Sequence, residues 1–148
     1  MTRTLMMASL IVVQGWILAS AQSAATAPDV VYSEAQAKRG EAVYTKDCVS
    51  CHGADMAGDG QTPSLSGKDF NLQWSGMPLS DLFERIHATM PADNPGRLTP
   101  TEVVDVIAFI LNKAGLPAGT TELPTDVAAL KQMKYAAPKQ YIGELVNW

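Results

Sequence analysis

Cys48-Val49-Ser50-Cys51-His52 is the stretch on which the reading of this chain turns. It holds both cysteines of the protein and one of its two histidines. Two thiols three residues apart on one turn can each add across one vinyl group of a single porphyrin. The next side chain, His52, then lies under the ring with an imidazole nitrogen for iron. The Cys-x-x-Cys-His spacing therefore predicts one covalently attached haem c, held at Cys48 and Cys51, with His52 as an axial ligand. Iron held this way is a redox centre whose access and potential the protein sets.

Three other readings compete for the same residues. A thioredoxin-like redox pair wants a strand before the motif and a long helix after it. Here a helical pattern precedes it, and Gly53-Ala54-Asp55-Met56-Ala57-Gly58-Asp59-Gly60 follows, a poor helix. Structural zinc wants four ligands, and beyond the motif only His87 remains. A plain disulfide leaves His52 without a role.

The start of the chain fits an exported haem protein. A short basic region at Met1-Thr2-Arg3, an apolar run from Leu5 to Leu18 and Ala19-Ser20-Ala21 read as a signal peptide over residues 1–21, cleaved after Ala21. An uncleaved membrane anchor is the rival, but Gln14 and Gly15 interrupt a run shorter than a span needs. Covalent haem attachment takes place outside the bacterial cytoplasmic membrane, so leader and motif support each other and predict a periplasmic protein. The 148-residue chain has 11 basic and 15 acidic residues. Without the leader's Arg3 the net charge is −5, and no basic stripe exists to neutralise phosphates, which argues against nucleic acid. There is no internal repeat, phosphate-binding glycine loop or nucleophile elbow.

Residues 22–32 read as a flexible, small-residue linker. Ser33-Glu34-Ala35-Gln36 has the form of a capping box and predicts a helix from Glu34 to Asp47. Gly40 weakens that helix, and close approach by another element is a reason to keep it. From Gly53 to Met77 the sequence predicts little regular structure, a loop that wraps the ring with Leu65, Phe70, Leu72 and Trp74 as candidates to face it. Leu79, Leu82, Phe83 and Ile86 recur at helical spacing. Pro91 ends that helix and releases Met90. Thr99-Pro100-Thr101-Glu102 opens a last long helix carrying Val103, Val106, Ile107 and Ile110, and Ala114-Gly115-Leu116-Pro117 stops it. Residues 117–148 predict one short helix, from Asp126 to Met133, in an extension packed on the body through Leu130, Met133, Tyr135, Tyr141 and Trp148.

With these elements in order, the stretch from Ser33 to Gly115 resembles the class I c-type cytochromes. The resemblance implies an all-α fold, three main helices and long loops around one covalent haem, in a cytochrome c domain over residues 33–116. It implies that Gly40 and Tyr44 cross Phe109 of the last helix. Thr62-Pro63-Ser64-Leu65-Ser66-Gly67 is similar to the family's Pro-x-Leu-x-Gly segment. By that likeness the Pro63 carbonyl orients His52 and raises its basicity, and Leu65 packs on the ring. Thr89-Met90-Pro91 is similar to the distal-ligand segment, which implies Met90 as the sixth iron ligand. Met77-Pro78 is a decoy, Met56 sits too near His52, and His87 is the bis-histidine alternative. Trp74 and Arg97 are candidates to bond a haem propionate, with burial and a solvated loop charge as their ordinary fates.

The closer resemblance is to single-haem cytochromes associated with pyrroloquinoline-quinone (PQQ) dehydrogenases. It rests on Met90-Pro91-Ala92-Asp93-Asn94-Pro95-Gly96-Arg97-Leu98-Thr99 and on Gly119-Thr120-Thr121-Glu122-Leu123-Pro124-Thr125-Asp126. It implies an electron carrier rather than an enzyme, with redox protein partners: a PQQ-dependent dehydrogenase as donor, a terminal oxidase or another cytochrome as acceptor. Two alternatives stand beside it. One is a haem enzyme or gas sensor, peroxidase-like, with an open sixth iron site. The other is a cytochrome subunit held permanently in a larger dehydrogenase complex.

Overall fold

The first helix begins where Ser33 leaves the extended conformation. Its hydroxyl accepts the Gln36 N–H at 3.0 Å, satisfying one of the donors a helix start leaves open. This computed structural model describes residues 32–142, so the leader, the linker up to residue 31 and Trp148 lie outside the described residues. Helix α1, Glu34–Asp47, buries Ala37, Gly40 and Tyr44 on one side. The short α2, Val49–His52, follows almost without a break.

The face of α1 meets α5, Pro100–Lys113, the most apolar helix, in which every residue from Val103 to Leu111 is buried. Gly40 is the crossing point: a Cβ built there would lie 1.8 Å from the Asp105 carbonyl oxygen. One turn on, the Tyr44 and Phe109 rings pack with centroids 5.4 Å apart. The crossing implied by the family resemblance is thus present in this chain.

Both ends of α5 are chemically closed. Thr99 Oγ1 accepts the Glu102 N–H, and the Glu102 carboxylate accepts the Thr99 N–H at 2.8 Å. At the far end Gly115, at φ 83°, lets its N–H reach the Asn112 carbonyl and the Leu116 N–H reach that of Leu111. Backbone and hydroxyl hydrogen bonds from Thr99 hold the Glu102 carboxyl below the usual carboxylate range. A depressed folded-state pKa contributes stability that is present above the unfolded value and lost as pH falls through the folded one. Thr99→Ala should cost about 1 kcal/mol in urea unfolding at pH 7. That deficit should narrow as pH drops below about 4, because protonation of Glu102 there weakens the bond from the Thr99 hydroxyl that only the wild type has. A deficit independent of pH would contradict the reading.

Helix α4, Leu79–Thr89, turns Leu79, Leu82, Phe83 and Ile86 inward, as the spacing predicts. The expectation of little regular structure up to Met77 needs correcting. Residues 53–66 hold no regular element, but Gly67–Trp74 form a helix, α3. Its stabilising contacts come from a distant part of the chain. The Phe70 ring meets Tyr135 edge-on at 5.8 Å, and the Tyr135 hydroxyl donates to Asn71 Oδ1 at 2.6 Å. Asn71 Nδ2 donates in turn to the Gly67 carbonyl, closing the first turn. Local propensity alone gives little sign of this helix, as tertiary contact outweighs it.

The segment after α5 runs back over the helices. Tyr32, at the end of the expected linker, is fully buried, and its hydroxyl donates to the Leu116 carbonyl at 2.6 Å. The Gln36 side-chain amide pairs with both backbone groups of Leu123, at 2.8 and 3.1 Å. Arg39 forks between Asp105 and Glu122, with four nitrogen–oxygen contacts of 2.8 to 3.0 Å. Asp105 is only 4% exposed, so this guanidinium is the charge that makes its burial tolerable. Helix α6, Val127–Gln132, is capped by Asp126, within the span the sequence predicts. Residues 133–135 then pair with 76–79 through three backbone hydrogen bonds. A last turn, α7, covers Lys139–Ile142. Among the described residues there are only isolated β-bridges, and no helix is long and apolar enough to cross a membrane.

Candidate functional site

Cys48 caps the end of α1 and Cys51 sits in α2, so the two thiols are free and one helical turn apart. The turn is tight: the Cys51 and His52 N–H groups both reach the Cys48 carbonyl, at 3.2 and 2.9 Å. Cys48 is half-buried against the core and Cys51 is exposed. Burial, with the neighbouring Asp47 carboxylate adding to it, pushes the Cys48 thiol up to about 11. Thiol–disulfide exchange needs the opposite shift, toward a thiolate at neutral pH. Among the described residues no group of three or more His, Cys, Asp or Glu is placed to hold a metal ion between them, which also leaves no structural zinc cluster.

His52 ends α2 and is 7% exposed. Its Nδ1 lies 2.9 Å from the Pro63 carbonyl oxygen. A carbonyl only accepts, so Nδ1 carries the proton and Nε2 presents its lone pair. The residue after His52 is clamped as well: the Tyr44 hydroxyl donates to the Gly53 carbonyl at 2.7 Å. Burial pushes the Tyr44 hydroxyl up to about 12, so it remains a donor at any physiological pH. Sequence reading assigns Tyr44 only to helix packing, and its second contact depends on how α2 folds back.

Beyond the motif the chain returns twice to this region. The Gly58 N–H donates to the His52 carbonyl at 3.0 Å, and the Leu65 N–H to that of Met56 at 2.8 Å. Leu65 and Trp74 are half-buried against the core, and the Trp74 ring lies 6.2 Å from that of Phe70. The four methionines among the described residues differ sharply. Met56 is fully buried at φ 61°, and Met77 is 40% exposed. Met133 and Met90 are half-buried against the core. Met90 ends α4 in an extended conformation, φ −121° and ψ 150°, which separates its side chain from the helix surface. His87 stacks on Phe83, with ring centroids 5.5 Å apart. The Arg97 guanidinium pairs with Asp47, whose side chain is 4% exposed, and so ties the loop after Met90 to the residue before Cys48. Sequence reading does not foresee that pair, because the partners are fifty positions apart.

This donor set fits a covalently held haem. Two unpaired thiols share one turn, a histidine has its tautomer fixed by a carbonyl, and a thioether is released from a separate helix end. Residues 35–110 match the family model described as Cytochrome C oxidase, cbb3-type, subunit III. Among solved structures the chain is similar to a chain of the sulfane dehydrogenase SoxCD from Paracoccus pantotrophus. The two are 25% identical with a TM-score of 0.51, over 72% of this chain and 55% of that one. The chain thus spans little more than half the length of that relative. No curated protein matches it.

Proposed function

Since the chain belongs to the family Cytochrome C oxidase, cbb3-type, subunit III, and with it to the class I c-type cytochromes carrying covalent haem c, we propose that it is an exported one-electron carrier. Its haem is held by Cys48 and Cys51 and ligated by His52 and Met90. The bound haem c supplies the electron-transfer chemistry, one electron taken up and released at its iron. The observation that carries the assignment is the 2.9 Å contact between His52 Nδ1 and the Pro63 carbonyl. It orients the imidazole, commits Nε2 to the metal and raises the basicity of the ligand. Met90 would hold the iron as well, leaving no position on it for a small molecule, which suits a carrier rather than a peroxidase-like enzyme or gas sensor. Leu65 and Trp74 line the pocket. Arg97 shares its five donors between Asp47 and a propionate.

The chain's organisation in this reading is a leader over residues 1–21, a linker to the buried Tyr32, a cytochrome domain to residue 116 and an extension packed on it. The periplasm is its compartment. Its donor is a dehydrogenase: the resemblance to quinoprotein-associated cytochromes and the similarity to a chain of a sulfane dehydrogenase support the same class of partner. A terminal oxidase or another cytochrome is the acceptor. The SoxCD similarity also favours a second reading, a permanent subunit of such a dehydrogenase, and size-exclusion of native extract separates the two.

The protein exported from a haem-maturing host tests the proposal. Its denatured mass should equal the chain from Gln22 plus one haem, and Cys48→Ser with Cys51→Ser should lose the haem on denaturation. A haem that dissociates from the denatured wild type, or a ferric wild type that is high spin, would overturn the assignment.

A further inference from the structure

The loop between His52 and Pro63 is closed on itself, and its closure depends on one exposed carboxylate. Asp59 Oδ1 accepts the Thr62 N–H at 2.7 Å and the Gln61 N–H at 3.0 Å. The Asp59 N–H reaches back to the Thr62 carbonyl at 3.3 Å. Thr62 is thus held at both of its backbone groups by one residue. The next residue is Pro63, whose ring fixes φ, so one soft dihedral, ψ, still decides where its carbonyl points. On the other side the Leu65 N–H is anchored on Met56. The same loop starts at Gly58, whose N–H donates to the His52 carbonyl. Gly58 has φ 69°, and a Cβ there would lie 2.2 Å from the Thr62 carbonyl oxygen, so only glycine lets the turn close this tightly. His52 therefore meets both ends of the closed turn, Gly58 at its backbone and Pro63 at its ring.

We propose that Asp59 is a positioning residue for the iron ligand: it holds the Thr62–Pro63 peptide so that the Pro63 carbonyl stays aimed at His52 Nδ1. The inference rests on His52 being the iron ligand. Its physical consequence runs through the ligand's donor strength. A well-aimed carbonyl draws the Nδ1 proton, makes the imidazole a stronger donor and favours ferric iron; a loosened one does the reverse. Hydrogen bonds donated by the Thr62 and Gln61 N–H groups hold the Asp59 carboxyl below the usual range, so it is an ionised, strong acceptor at neutral pH.

Asp59→Ala removes the acceptor, whereas Asp59→Asn keeps an oxygen acceptor and removes only the charge. Both variants lose the same negative charge, so their difference isolates the turn. At a fixed redox poise the ratio of ferrous to ferric protein should be about threefold higher in Asp59→Ala than in Asp59→Asn, the scale of one weakened neutral hydrogen bond. The His52 ring N–H, a hyperfine-shifted proton signal in the ferric protein, should exchange with solvent faster in Asp59→Ala and near the wild-type rate in Asp59→Asn. Equal ratios and equal exchange in the two variants would overturn the inference. A wild-type protein with no hyperfine-shifted His52 proton would overturn it too, but by removing the ligation reading first, and the wild-type spectrum distinguishes the two failures.

Discussion

Gly40→Ala should be strongly destabilising. Its Cβ would lie 1.8 Å from the Asp105 carbonyl oxygen, 2.4 Å from the Asp105 carbonyl carbon and 3.0 Å from Phe109 Cβ. The first two are helix backbone, so no rotamer change relieves them. Relief requires α1 and α5 to separate, and with them the Tyr44–Phe109 pair and the Arg39–Asp105 fork. Alanine gains about 1 kcal/mol of helix propensity over glycine. Overpacking typically costs 1–3 kcal/mol, and a clash between two backbones belongs above about 3 kcal/mol. The steric cost wins, against a total stability on the order of 5–15 kcal/mol. Gly60→Ala is the control: Gly60 has a left-handed backbone, φ 88°, unlike the helical Gly40, but nothing lies within 4 Å of its Cβ position. That variant should lose only about 1–2 kcal/mol, the cost of a left-handed backbone without a clash. Urea unfolding of the two haem-loaded variants, followed by far-ultraviolet circular dichroism, compares them. Equal midpoints would mean that the helices do not meet at Gly40.

The second large effect is expected at the iron. Met90→Ala should abolish the sulfur-to-iron charge-transfer band of the ferric protein, lower its potential and let carbon monoxide bind the ferrous form. Met77→Ala should leave the band intact. The two residues share a following proline, so local sequence separates them poorly. Their surroundings separate them well. Met77 is 40% exposed and its backbone is tied at both ends, its N–H to Trp74 and its carbonyl to the Tyr135 N–H. Met90 is half-buried against the core and leaves α4 in an extended conformation. If the band survives in Met90→Ala and disappears in Met77→Ala, the assignment is reversed. Ready carbon monoxide binding by the wild type would instead favour the open-site enzyme or sensor.

Much of the architecture is local and therefore legible in the amino-acid order. Ser33 and Thr99 carry side chains that satisfy helix N–H donors within three residues, and Pro91 and Gly115 impose backbone conformations on their own positions. Such signals need no knowledge of the rest of the chain. They place α1, α4 and α5 correctly, and the Cys-x-x-Cys-His spacing predicts a haem site because its chemistry lies within five consecutive residues. The turn at Asp59 also has a readable signature, an Asp-Gly pair in a loop, although only the structure shows the Asp59 carboxylate on the Thr62 N–H next to the Pro63 carbonyl that meets His52.

Tertiary structure decided what depends on distant partners. Helix α3 is packed by Tyr135, whose hydroxyl meets Asn71 sixty-four positions away. Arg39 gathers Asp105 and Glu122, Gln36 takes the Leu123 backbone, and Arg97 finds Asp47. None of these pairs has a period or a motif, because a charged or amide side chain is satisfied by any correctly placed partner. The sequence by itself determined where α1, α4 and α5 lie and pointed to the chemistry of residues 48–52, since those follow from bonds between near neighbours. Only the folded chain decided which residues hold that chemistry in place, since their partners are brought together by packing and not by order along the chain.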